Sequence, residues 1–349
     1  MEALPEYSIG RTIFGDTPVV RAAYEQFRAQ PLDEVRLAAT RRSPFPACRR
    51  TLAGEASVTD VGTFDGRARQ SLVFAPSAKP GWWIRRTDQP TQLDTKVDIA
   101  NLWTSAQNLV LRSGSPHNYL RMVEHIIALK VGLGVDDVLI KVNSGDPPLF
   151  DDSSLPLVKA ISSAGFVDTP SAAQVVTVKE PVAFGGSRGD FLLFLPAAPG
   201  ETNLRIDCAI AWNTVIGRQR ILFDVTPETF AYASLARTNA TRQQYVLAKT
   251  IGKFFAATRH WGYNERNILI HGAKRFYTTP RFPMGEKFLE PVWHRATLDL
   301  MAAIALLGES RLAGTVVSFR AGHTLDCDAV RALVRNNLLT SVESTTNLC

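Results

Sequence analysis

Met122-Val-Glu-His-Ile-Ile-Ala-Leu-Lys-Val-Gly-Leu-Gly-Val-Asp136 is the stretch on which the fold turns. Met122, Ile126, Leu129 and Leu133 recur at helical spacing, and glycines at 132 and 134 stop the run as a helix C-terminus requires. Residues 138–142, Val-Leu-Ile-Lys-Val, then read as a strand and residues 155–164 as a further helix. Upstream, residues 53–60 and 70–76 are strand-like runs separated by Gly62, Asp65 and Gly66, a hairpin pattern, and residues 82–86 make a third strand. Strands, helix, strand and helix in succession describe one α+β layer.

The same order returns downstream. Residues 173–184, 190–196, 204–212 and 219–224 read as strands, followed by a helix at 227–237. An apolar helix at 292–307, a strand at 314–319 and a helix at 327–336 complete the series. No residue-level repeat accompanies it, so the recurrence is one of element order alone. The glycine-rich run at 185–189 has strands on both flanks and reads as a hairpin turn. A phosphate-cradling loop would need a helix after it.

The chain has 349 residues, a net charge of +6, 45% hydrophobic and 21% charged residues, which excludes wholesale disorder. No apolar run approaches the roughly 18 residues of a membrane span, and the start of the chain has no apolar signal-peptide core. Four scattered cysteines without a CxxC pair lead us to expect reduced thiols and a cytoplasmic protein. The mild positive charge suits an anionic small substrate or a membrane surface and does not call for nucleic acid. Residues 1–49 read as an N-terminal extension, ahead of domains at 50–168 and 169–349. Within the extension, residues 19–29 suggest an amphipathic helix. Arg41, Arg42, Arg49 and Arg50 bracket a Ser-Pro-Phe-Pro stretch and read as a solvated basic linker, with an anion-contacting arm as the other reading.

Six histidines limit the chemistry. Glu124-His125 falls in the first long helix, and His294 precedes Asp299 in the late one. Imidazole and carboxylate donors suit a catalytic zinc site with one open position, and a carboxylate outside the ligand set can act as general base. By residue type alone, a lone helical histidine is more often an ordinary surface or core residue.

The opening helix, the loop Gly145-Asp-Pro-Pro-Leu-Phe-Asp-Asp-Ser-Ser-Leu-Pro-Leu-Val158, Glu290-Pro-Val-Trp-His-Arg295 and Gly322-His-Thr-Leu-Asp326 occur in one order. Together they resemble the UDP-3-O-acyl-N-acetylglucosamine deacetylases over about residues 50–338. The resemblance implies an α+β fold of two similar layered domains, each a mostly antiparallel sheet backed by helices, with the active site between them. It implies zinc-dependent hydrolysis of an acetamide on an anionic, acylated, UDP-linked amino sugar in lipid A synthesis. By the same resemblance His125, His294 and Asp299 would hold zinc, Glu124 would be the general base, and His323 the cation that meets the oxyanion or leaving amine. Thr250 would polarise the scissile carbonyl, and Arg295 and Arg320 would face the diphosphate. No transmembrane segment is implied, and contact with a membrane surface stays open.

This sequence departs from the family at one telling place. The family spaces its second histidine and its aspartate four residues apart, on one helical face; His294 and Asp299 are five apart. Ligation by both predicts a π-bulge, or a helix that begins after His294. Ala303 and Phe64 also replace polar residues of the family. Two other readings therefore accompany the first: a divergent zinc amide hydrolase of another pathway, or a catalytically silent paralogue acting as a binding or regulatory protein.

Overall fold

The computed structural model describes residues 5–255 and 259–342. Two mixed sheets organise the chain. The first runs in space Ala56–Val61, Arg69–Pro76, Val138–Val142, Trp82–Arg86, Asp94–Lys96. Val138–Val142, last in sequence, is central, antiparallel to Arg69–Pro76 and parallel to Trp82–Arg86. The second sheet repeats this arrangement with Val182–Gly185, Phe191–Leu195, Gly314–Phe319, Leu204–Ala211 and Arg218–Asp224. Gly314–Phe319 is again last in sequence and central, antiparallel to Phe191–Leu195 and parallel to Leu204–Ala211. In each five-strand unit the remaining pairings are antiparallel. The recurring element order is thus a recurring topology.

A helix precedes each central strand. Glu124–Leu133 leads into Val138–Val142, while Glu290–His294, Arg295–Leu300 and Met301–Ala305 form a continuous rod leading to Gly314–Phe319. Both are buried nearly all round: Ile126, Ile127, Ala128 and Leu129 on one, Trp293, Ala296, Leu298 and Ala302 on the other. A helix that is apolar on every side belongs between layers. Both share one core with Phe74 and Ile140 of the first sheet and Phe184 and Ile206 of the second. Gly134 ends the first helix in the left-handed conformation (φ 59°). Gly132 lies inside that helix, where a Cβ would come within 2.1 Å of the Phe230 ring.

Residues 11–36 are woven into the second sheet. Arg11–Phe14 and Glu34–Arg36 join its two edges in parallel, widening it to seven strands. Between them, Thr17–Arg28 lays Val20, Ala23, Tyr24 and Phe27 on Phe191, Val317 and Phe319, closing that sheet's outer face. Three of the four arginines of the basic cluster are engaged in the fold, and Arg42 is exposed. Arg41 pairs with Glu201 and Asp224, Arg49 with Asp137, and Arg50 caps the first helix through the carbonyls of Leu133 and Gly134. The thiols also differ from expectation: Cys208 and Cys327 are free and buried, whereas Cys48 is disulfide-bonded. Cys349 lies outside the described residues. No helix among the described residues is long and apolar enough to cross a membrane.

Candidate active site

Glu124 opens the first buried helix. Met122, just before it, holds φ at 56°, a left-handed conformation uncommon outside glycine, and turns the chain from Tyr119–Arg121 into the helix. The Glu124 side chain is 2% exposed, and its Oε2 accepts the Leu109 N–H at 2.9 Å. Burial raises its carboxyl above the ordinary range, against the lowering influence of His323. Its neighbour His125 points elsewhere, as a ~100° step requires.

The second rod solves the spacing problem. Arg295–Leu300 is π-helical, so residues five apart share a face. His294 Nδ1 and Asp299 Oδ1 are consequently 3.5 Å apart. In α geometry Asp299 would lie about 140° round the axis from His294. The departure from α geometry expected from the sequence is therefore present, flanked by α-helical turns on both sides.

His323 is the first residue of His323–Arg335, which follows the central strand of the second sheet. Its Nε2 lies 3.7 Å from Asp299 Oδ1. Burial alone would lower its pKa; the carboxylates of Asp299, Glu124 and Asp326 outweigh this and raise it, favouring imidazolium. Asp299 responds in the opposite sense. Burial pushes it up, but His323 and His294 overcome that and hold it below the usual carboxylate range.

Thr238 stands at the centre. Its hydroxyl is 3.1 Å from His125 Nε2 and 3.2 Å from His294 Nε2, and the two rings are 5.2 Å apart. The family resemblance pointed to Thr250 as the threonine that polarises the scissile carbonyl. Thr250 instead is exposed at the end of Arg242–Lys249 and donates its hydroxyl to the Val246 carbonyl at 2.7 Å. Thr238 follows Arg237, whose guanidinium pairs with buried Glu290 and donates to the carbonyls of Arg266 and Thr279. The signal in the sequence was Ala236-Arg237-Thr238 directly after a helix, with Glu290 three residues before Trp293-His294.

The two arginines expected at a diphosphate are placed differently from each other. Arg295 is buried, pairs with Asp326, and donates to the Ala321 carbonyl at 2.8 Å and the Ser318 hydroxyl at 3.3 Å. It has no free face for a substrate. Arg320 is exposed and lines a surface recess with Gln26, Gln30, Trp212 and Arg218. Beside His125 and Thr238 a narrow apolar recess is lined by Met122, Pro148, Leu149, Phe150 and Tyr263.

Among the described residues, no group of three or more His, Cys, Asp or Glu side chains is arranged to hold a metal ion. Both Nε2 atoms meet at Thr238, whereas Asp299 lies on the Nδ1 side of His294. The donor chemistry nevertheless fits zinc. His125 is lowered to about 3, by burial first and His294 second, and is a neutral imidazole. Asp299 Oδ1 is buried without a hydrogen-bond partner, an orphaned acceptor of the kind a cation satisfies.

Comparison with known proteins matches residues 49–335 to the sequence model described as LpxC: UDP-3-O-acyl N-acetylglycosamine deacetylase. Similar proteins include the UDP-3-O-acyl-N-acetylglucosamine deacetylases of Brucella ovis, Brucella canis and Brucella melitensis biotype 2. Each is 23% identical over 290 residues, covering 82% of this chain and 96% of the relative.

Proposed function

We propose a function from one premise: the chain belongs to the UDP-3-O-acyl N-acetylglycosamine deacetylase family. It is a deacetylase-like hydrolase, releasing acetate from an acylated, UDP-linked amino sugar. The observation that carries this reading is the π-helical turn that sets Asp299 beside His294, with His323 on its other side. The silent-paralogue reading rested on an aspartate turned away from the histidine, and it is not favoured.

His125, His294 and Asp299 would hold a zinc ion, whose chemistry when bound is to polarise a carbonyl and make water acidic near neutral pH. Glu124 takes a proton from the attacking water. The Thr238 hydroxyl, between the two histidines, orients the scissile carbonyl. His323, held as imidazolium by Asp299 and Glu124, faces the developing negative charge and then protonates the departing amine. Water supplies the new C–O bond and the C–N bond breaks. One water proton goes to Glu124 and the His323 proton to the amine. The protons left on Glu124 and on the acetic acid product return through solvent, one of them restoring His323.

Metal content tests this directly. The purified protein should take up one zinc per chain, and His125→Ala should lose it while keeping its helical content by circular dichroism. Protein that neither carries nor takes up zinc would remove the hydrolase mechanism. The π-turn gives a second, independent expectation. Deleting Thr297 removes the one extra residue and should turn 295–300 into α-helix while Asp299 still faces His294. The deletion variant should bind zinc at least as tightly as the parent in competition with a chromophoric chelator. A folded variant that has lost the metal would make the π geometry itself a requirement of the site.

A further inference from the structure

Immediately beyond Thr238 the chain leaves the buried site for a small unit of its own. Asn239–Thr241 pairs in parallel with Leu269–His271, and between them come the helix Arg242–Lys249 and the 3₁₀ turn Ile251–Phe254. The helix buries none of its residues fully. Val246, Leu247 and Ile251 are each about half exposed, Phe255 is 62% exposed, and Phe254 is 83% exposed. Large apolar side chains gathered this closely on a surface mark a place of contact.

The same unit is cationic. No Asp or Glu occurs between Glu228 and Glu265. Lys249, Lys253 and Arg259 converge with Arg67, from the hairpin of the first sheet, on one open recess. Lys249 is partly engaged, donating to the Trp261 carbonyl at 3.0 Å, whereas Lys253 and Arg259 are exposed. Exposed phenyl rings beside a recess of four cations match the boundary layer of an anionic bilayer, where rings enter the acyl region and cations meet phosphates. A purely apolar partner surface would leave those cations unmatched.

We propose that this unit docks the protein on an anionic lipid bilayer, with Phe254 and Phe255 inserted and Arg67, Lys253 and Arg259 at the lipid phosphates. Docking would bring the unit that follows Thr238, and with it the apolar recess beside Thr238, towards the membrane surface, where an acylated substrate partitions. The inference rests on the exposed surface alone and stands whatever reaction the buried residues perform.

Co-sedimentation of the full chain with vesicles tests it. Binding is expected to phosphatidylglycerol–phosphatidylethanolamine vesicles, at least about tenfold weaker to phosphatidylcholine, and weaker again at high salt. Phe254→Ser with Phe255→Ser should reduce binding at least about tenfold with an unchanged melting temperature. Lys253→Gln should reduce it about fivefold. No binding to the anionic vesicles, or binding untouched by the double serine variant, would overturn the proposal. So would a dimer in light scattering that the double serine variant dissolves, since that would give the patch to a second copy of the chain.

Discussion

Glu124→Gln is expected to lower the hydrolytic rate by roughly 10²–10⁴, the range of a lost general base, while zinc uptake and melting temperature stay close to the parent's. The glutamine keeps the acceptor for the Leu109 N–H, so the buried hydrogen bond at the head of the helix survives. What disappears is the ability to take a proton. The pH profile of the parent should carry the same information. Burial raises Glu124, so activity should fall on the acid side at a pH above the usual carboxylate range, as the base is protonated. His323 is raised by Asp299 and Glu124 against burial, so its cationic form persists beyond the pH at which a free histidine discharges. Activity should fall on the alkaline side as that proton leaves. The two limbs bound a bell, and its acid limb should vanish from the residual rate of Glu124→Gln. Full activity in that variant would sink the assignment.

The helices and the spacing anomaly were legible because both are local. Apolar periodicity at 122–133 records a helix buried between layers, and a spacing of five from His294 to Asp299 admits few backbone solutions for a shared metal ion. Thr238 was not legible, because its position depends on Arg237 reaching Glu290, 53 residues away. Thr250 occupied a plausible motif but sits at the end of an exposed helix, where its hydroxyl has only the turn behind it to bond. Arg295 misled by its charge. It stands where the family it resembles has a lysine, which suggested a diphosphate contact, yet its anion is Asp326 of the same chain, 31 residues on. The N-terminal segment read as an appendage because its strands are short and its partners lie about 170 and 190 residues downstream. Parallel edge pairing over such distances leaves no local pattern.

Asp326→Ala should be the most destabilising single substitution near the site, costing about 3–5 kcal/mol in chemical denaturation. Both partners of the Arg295–Asp326 pair are buried, and removing the carboxylate leaves a guanidinium with no route to water. The remaining bonds, to the Ala321 carbonyl and the Ser318 hydroxyl, are neutral and cannot replace a charge. Replacing the pair together, Arg295→Met with Asp326→Leu, should recover most of that loss, since no buried charge is then left alone. The double variant separates stability from positioning. Arg295 ties the π-turn that carries Asp299 to Ala321, two residues before His323, and Asp326 is one of the carboxylates that raise His323. A stable double variant should therefore turn over more slowly, and its alkaline limb should move to lower pH, because the Asp326 anion it loses raises His323 by more than the Arg295 cation it loses lowers it. If Asp326→Ala unfolded at the parent's denaturant midpoint, the pair would contribute nothing to the fold. If the double variant kept the parent's rate and alkaline limb, it would contribute nothing to His323.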